Sequence, residues 1–131
     1  GAIPITRDQG INALKKMGRN AKITVKKNRS MMIFPQGTRV SPGVSSEEKP
    51  YLPGVYFLYF QTKVPVIPVA HNAGLIWPKN SFIKYPERLS SKSVTLKILP
   101  EIPPGLPKQE FLSKLETEIE NASNELIKKE K

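Results

Sequence analysis

The sequence predicts an α/β fold: one domain over residues 1–131, with a mixed, largely parallel sheet flanked by helices. Three observations lead there. Short β-branched runs recur along the chain, segments with apolar residues at helical spacing lie between and after them, and a chain of 131 residues has room for one core. A domain of that size buries roughly 65–70% of its unfolded surface, too little for two independent cores.

Taken in order, Ile3-Pro4-Ile5-Thr6 reads as a short strand. Asp8 follows it as a helix cap, and Ile11, Leu14, Met17, Ala21 and Val25 then recur at helical spacing. The opposite face of that helix carries Lys15, Lys16, Arg19, Lys22, Lys26 and Lys27, which suits either ordinary solvated surface or contact with an anionic membrane. Residues 30–34, rich in Met and Ile, read as a buried strand, so that strand, helix and strand suggest a parallel crossover unit. Residues 35–50 hold Gly37, Pro42, Gly43 and several serines and read as a long loop, a kind of segment that is usually functional or mobile.

Pro53 fits the first turn of a second helix, to about Lys63, with apolar residues from Val55 to Phe60. A helix apolar on every side is a packed core helix, or one whose aromatic face meets lipid or another part of the protein. Residues 64–70 read as a strand whose prolines sit at an end or an edge. Residues 93–99 alternate Val94, Leu96 and Ile98, expected inward, with Lys92, Thr95 and Lys97 outward. Between these strands Trp77, Phe82 and Tyr85 interleave with Lys79 and Lys84, as in a plain surface loop, a membrane-interface segment or a base-stacking one. Residues 100–107 contain four prolines and form a stiff connector. The stripe Phe111, Leu112, Leu115, Ile119, Ala122 and Leu126 then predicts a helix from Lys108 to about Lys129 that docks on the sheet.

Composition narrows the chemistry. The net charge is +10, and it is uneven. Residues 1–50 carry ten basic and three acidic side chains (+7), 51–106 six and two (+4), and 107–131 five and six (−1). A basic field attracts nucleic acid, anionic headgroups or phosphorylated substrates without choosing among them. The absence of cysteine excludes disulfides, thiolate nucleophiles and Cys-ligated zinc, and one histidine with scattered acids cannot build a zinc site. The longest apolar runs fall far short of the ~18–20 residues that span a bilayer. Gly43-Val44-Ser45-Ser46-Glu47 lacks the last glycine of a nucleophile elbow, and no Walker or dinucleotide glycine pattern is present. Neither a metal nor an organic cofactor is expected.

The most specific stretch is Phe34-Pro35-Gln36-Gly37-Thr38-Arg39. Gly37 lets backbone approach a ligand, Thr38 offers a hydroxyl, and Arg39 presents a planar fork to phosphate oxygens. Open α/β sheets bind ligands beyond the carboxyl ends of their strands. Arg7 also follows a strand, so two parallel strands would bring Arg7 and Arg39 to one edge, an arrangement suited to a phosphate monoester. The candidate binding set is Arg7, Gln36, Gly37, Thr38 and Arg39.

These residues resemble the 1-acylglycerol-3-phosphate acyltransferase family. Ile3-Pro4-Ile5-Thr6-Arg7 is similar to its second motif, Phe34 to Arg39 to its third (usually Phe-Pro-Glu-Gly-Thr-Arg), and Val64-Pro65-Val66-Ile67-Pro68-Val69 to its fourth, in the family's order. The resemblance implies acyl transfer from acyl-CoA or acyl carrier protein to lysophosphatidic acid, giving phosphatidic acid in phospholipid synthesis. It also implies membrane association, at the cytoplasmic face of the bacterial inner membrane. The family's first motif, His-x-x-x-x-Asp, supplies the base that deprotonates the acceptor hydroxyl, and it lies upstream of the Arg7 motif. The only histidine here, His71, follows the fourth motif, and Ile76 stands five residues on in place of aspartate, so His71 reads as structural. The chain is thus expected to be a C-terminal part that is inactive alone. Gln36 departs from the family's glutamate, keeping size and hydrogen bonding but losing charge. A basic nucleic-acid-binding domain or a peripheral membrane-binding module is the competing expectation. The nucleic-acid reading has no zinc-finger spacing and no RNA-recognition aromatic signature behind it, so nucleic acid is not an expected partner.

Overall fold

The computed structural model describes residues 10–77 and 93–129. Helix α1 (Gly10–Lys26) is amphipathic and buries Met17, Gly18 and Ala21. Gly18 sits where a Cβ would come 2.9 Å from Phe57 Cε1, so this glycine sets how closely α1 approaches α2 (Pro53–Thr62). Asn28 ends α1 with φ +52°, and the bonds Arg29 N–H to Thr24 O (3.2 Å) and Asn28 N–H to Val25 O (2.9 Å) form a Schellman motif.

Pro53 opens α2 as expected, because its missing N–H is one the first turn cannot use. Lys63 closes it in the left-handed conformation, its N–H donating to Tyr59 O. Most of the helix is packed: Val55 and Tyr59 are buried, Tyr56, Phe57 and Leu58 are half-buried, and Phe60 is exposed.

Strand β1 (Val69–His71) pairs antiparallel with β2 (Leu96–Ile98), in the register Val69 with Ile98, Ala70 with Lys97 and His71 with Leu96. The ribbon continues irregularly through Leu99 N–H to Pro68 O (3.0 Å) and an isolated bridge between Val66 and Ile102. The expected strand over 64–70 is thus present only in part, with Pro65 and Pro68 interrupting its ladder.

Helix α3 (Lys108–Lys129) matches the predicted span and stripe, and it packs on β1 and on α2. One core cluster gathers Tyr51, Val55, Tyr59, Ile102, Phe111 and Leu115, and Tyr59 stacks on Phe111 with ring centroids 4.0 Å apart. A second gathers Ala70, Leu99, Ala122 and Leu126, and Ile119 touches both. The Tyr59 hydroxyl fixes the proline-rich connector by donating to Pro103 O (2.6 Å) and accepting from Leu106 N–H (2.8 Å).

The α/β class holds, and the largely parallel sheet does not. The described sheet is a two-stranded antiparallel ribbon. Residues 30–34 are not a strand: no described strand lies beside them to complete a ladder, and Met32 and Phe34 stand 86% and 68% exposed. The expected strand at residues 3–6 lies outside the described residues, as does most of the aromatic and lysine segment after Trp77. The inward face expected of β2 is not buried: Leu96 and Ile98 are 66% and 75% exposed, and Lys97, also exposed, pairs with Glu125 of α3 at 2.9 Å.

Candidate functional site

The motif Phe34 to Arg39 folds as a tight turn. Gly37 N–H donates to Phe34 O at 2.9 Å, and Gly37 has φ +65°. A Cβ at that position would lie 2.7 Å from Leu52 Cδ1. The backbone conformation therefore calls for glycine, while the Leu52 methyl, at the end of a flexible side chain, would have to shift for a larger residue.

The loop that follows is tied at its base. Leu52 N–H donates to Pro35 O at 2.8 Å, and the Gln36 side-chain amide donates from Nε2 to Lys49 O at 3.1 Å. Within the loop, Ser45 and Glu48 exchange backbone-to-side-chain bonds of 3.4 Å in each direction, and Lys49 N–H reaches Ser45 O at 3.1 Å. These bonds give residues 35–52 a defined shape. The segment packs against the short 3-10 turn Ala73–Leu75 that follows β1, where a Cβ on Gly74 would come 3.1 Å from Pro42 Cγ. The third-motif loop and the residues after the fourth motif thus meet.

Of the predicted site residues, the structure puts Gln36, Gly37, Thr38 and Arg39 on this one turn. Gln36 is half-buried, and Gly37, Thr38 and Arg39 are exposed. Arg7 lies outside the described residues. The carbonyl ligand of Gln36 gives its departure from glutamate a structural meaning, since a carboxylate cannot donate the bond that Nε2 makes to Lys49 O. His71 is exposed on β1, and its Nδ1 accepts from Ala73 N–H at 3.3 Å, a local contact that fits a structural role.

The sequence reading missed Asn72. This residue is 2% exposed, the one buried polar side chain among the described residues, and it is fully engaged. Its Nδ2 donates to Ser93 O (3.3 Å) and its Oδ1 accepts from Thr95 N–H (2.8 Å). It therefore clamps the two ends of the excursion between β1 and β2. An asparagine directly after an apolar strand and before Ala-Gly is a turn signal, and that was the clue available.

Tyr51 was missed as well. It is buried at the end of the loop and donates its hydroxyl proton to Glu120 Oε1 at 3.3 Å. Burial, then the Glu120 charge, push its phenol above the ordinary value. Burial likewise raises Glu120, only partly offset by the bond from Tyr51, and the nearby Glu116 charge adds to the rise.

Among the described residues no group of acidic or histidine side chains is placed to hold a metal, and no helix is long and apolar enough to cross a membrane. An apolar groove of about 320 Å³ opens between α1, α2 and the start of α3, with Leu14, Phe57, Phe60 and Lys108 in its wall. None of the predicted site residues lines it.

The chain is 38% identical over 84 residues to the 1-acyl-sn-glycerol-3-phosphate acyltransferase of Pseudomonas aeruginosa, a match covering 64% of this chain and 32% of that protein. It is 34% identical over 89 residues to the Cocos nucifera protein of the same name, covering 67% of this chain and 28% of the relative. It is 28% identical over 104 residues to the human 1-acyl-sn-glycerol-3-phosphate acyltransferase beta, covering 79% and 34%. The matches span about a third of the length of these relatives. No solved structure matches significantly. The family model described as Acyltransferase matches residues 1–72, more than half of the chain and including the Gln36–Arg39 turn, and the chain belongs to that family.

Proposed function

We propose that this chain is the acceptor-gripping part of a 1-acylglycerol-3-phosphate acyltransferase, and that Arg39 and Thr38, on the turn that Gly37 allows, bind the phosphate of lysophosphatidic acid together with Arg7. The observation that carries the reading is the exposed Gly37-Thr38-Arg39 turn, held at its base by Gln36 and Pro35 and belonging to a family-matched segment. A fixed turn that presents a hydroxyl and a guanidinium supplies charge-assisted bonds to a phosphate with little ordering cost.

The reaction moves an acyl group from an acyl thioester, of coenzyme A or acyl carrier protein, to the free hydroxyl of the acceptor. The hydroxyl oxygen forms the new ester bond, the thioester C–S bond breaks, and the hydroxyl proton passes to the base as the thiol leaves. Neither the base nor its aspartate partner is in these residues, since His71 is followed five residues on by Ile76. The chain alone binds and orients, and is expected to turn over no substrate. Its place is a membrane-associated enzyme of phospholipid synthesis on the cytoplasmic face of the bacterial inner membrane, with the basic surface toward anionic lipid.

Titration of the chain with glycerol 3-phosphate, followed by backbone amide shifts, tests the site. Shifts centred on Gly37, Thr38 and Arg39, with affinity lowered about 10-fold or more by Arg39→Ala, are expected. Shifts elsewhere, or an Arg39→Ala variant that binds like the parent, would overturn the assignment.

A further inference from the structure

Helix α1 is basic along one whole side. Lys15, Arg19, Lys22 and Lys26 recur at spacings of four, three and four residues and so form a straight row, which Lys16 and Lys27 widen on one flank. The row covers about 16 Å of helix. All six side chains are exposed, and among the described residues none has an ionic partner. The other side of the helix is packed: Met17, Gly18 and Ala21 are buried, and α1 rests on α2. Ile23, 47% exposed, stands within the basic side, four residues from both Arg19 and Lys27.

Like charges at helical spacing repel and weaken a helix. Nothing nearby in the sequence relieves them, because no acidic residue occurs between Asp8 and Glu47. Residues 1–9 and 78–92 cannot neutralise the row either, since they hold Asp8 and Glu87 against Arg7, Lys79, Lys84, Arg88 and Lys92. Covering unpaired cations with uncharged polypeptide is costly. This side of α1 is therefore open to water or to an anionic partner.

We infer that the basic side of α1 is a docking surface for an anionic bilayer, with the cations on phosphate headgroups and Ile23 entering between them. This deepens, and rests on, the membrane association proposed above, and it does not depend on the phosphate site at Arg39. The apolar stripe of α1 is already packed on α2, so the helix lies on the bilayer and does not cross into its core. Two observations favour lipid over nucleic acid. Bases stack on aromatic rings, and α1 contains none. An exposed isoleucine gains nothing from a phosphodiester backbone, whereas at a bilayer surface it meets the upper acyl region while long lysine stems keep their charges among the headgroups.

Cosedimentation with vesicles tests the surface. The chain should bind phosphatidylcholine vesicles that contain phosphatidylglycerol, not phosphatidylcholine alone, and salt should weaken the binding. Each cation near such a surface contributes roughly 5-fold. The triple variant Lys15→Gln, Lys22→Gln, Lys26→Gln should therefore bind at least about 10-fold more weakly. Lys114→Gln, Lys128→Gln, Lys129→Gln removes the same charge from exposed sites on α3 and should stay within about 2-fold of the parent. Neutralising the row relieves repulsion, so the urea midpoint should not fall, which separates lost docking from lost fold. The absence of cysteine allows a second readout. An environment-sensitive fluorophore on Ile23→Cys should shift to the blue on the vesicles, and one on Lys114→Cys should not.

Equal losses in the two triple variants, or no blue shift at position 23, would refute the docking surface. So would an oligonucleotide that binds through the same lysines more tightly than the vesicles do, which would make nucleic acid the partner. Saturating glycerol 3-phosphate at matched ionic strength should leave vesicle binding intact; displacement would mean that the Arg39 turn, and not α1, holds the lipid. Failure of the phosphate site would leave the vesicle readouts unmoved, so the two readings fail separately.

Discussion

Asn72 makes the sharpest prediction at the scale of a single side chain. Both of its amide groups bond backbone on the far side of the β1–β2 excursion, in a place with 2% solvent exposure. Asn72→Ala removes both bonds, each worth about 0.5–1.5 kcal/mol where, as at the exposed Ser93 and Thr95, water can take the place of the lost amide. Urea unfolding should show a loss of that size, and a loss below about 0.5 kcal/mol would mean the clamp is not closed in solution. Gly37 offers a second case that can be separated into causes. Gly37→Ala forces an L residue to φ +65° beside Leu52, whereas Gly43→Ala meets φ +85° with nothing within 4 Å of the added atom. Backbone strain of about 1–2 kcal/mol is common to both, and Leu52 is a flexible neighbour that can give way. The two variants should therefore be destabilised by similar amounts. Only Gly37→Ala should also weaken phosphate binding, read by titration with glycerol 3-phosphate.

Between elements, the contact of Tyr51 with Glu120 joins the end of the third-motif loop to the middle of α3. Burial holds the Glu120 carboxyl above its ordinary range, so the folded state takes up a proton more readily than the unfolded one. The stability that this group contributes is complete below the ordinary carboxylate value and is lost as pH rises through the raised one. Glu120→Gln keeps an acceptor for the Tyr51 hydroxyl and removes the charge. Its melting temperature should exceed the parent's near pH 7, and the difference should vanish as pH falls below about 4. A constant difference across that range would show that charge burial is not the cause. Elements were legible in the sequence to the degree that their partners are local. Helix α3 was read to its ends because its stripe is long and periodic, and α2 because Pro53 marks its start. The strands fared worse, because a ladder needs a second strand: residues 30–34 have the composition of a strand and no described neighbour. In β2 the alternation of Leu96, Lys97 and Ile98 is present as a pattern, but the burial expected of it is not, since α3 packs on β1 and leaves all three residues exposed. The Gly37 turn was legible as a motif, but the Lys49 carbonyl that Gln36 grips and the clamp at Asn72 were not. Each joins residues 13 or more apart through backbone atoms that leave no mark in the sequence.

At the scale of the whole molecule, α3 is the element on which both cores depend. Phe111 and Leu115 belong to the cluster under α2, Ala122 and Leu126 to the cluster under the ribbon, and Ile119 touches each. A rigid helix shared by two clusters couples them, because neither can open without exposing a face of the same helix. The chain should therefore unfold in a single transition, with far-UV dichroism and the fluorescence of Trp77, the only tryptophan, changing together. Phe111→Ala removes a ring with no solvent exposure that stacks on Tyr59, at a cost of about 3–5 kcal/mol. Leu126→Ala, at the far end of the same helix, should cost about 2–5 kcal/mol. Against a total of about 5–15 kcal/mol for a typical domain, either loss is large. Coupling through α3 predicts that each variant shifts both probes by the same amount, although Trp77 lies near the end of the 3-10 turn and in neither cluster. Two separated transitions, with Phe111→Ala moving only the dichroism and leaving Trp77 unchanged, would show instead that the ribbon cluster folds on its own and that α3 merely spans two independent units.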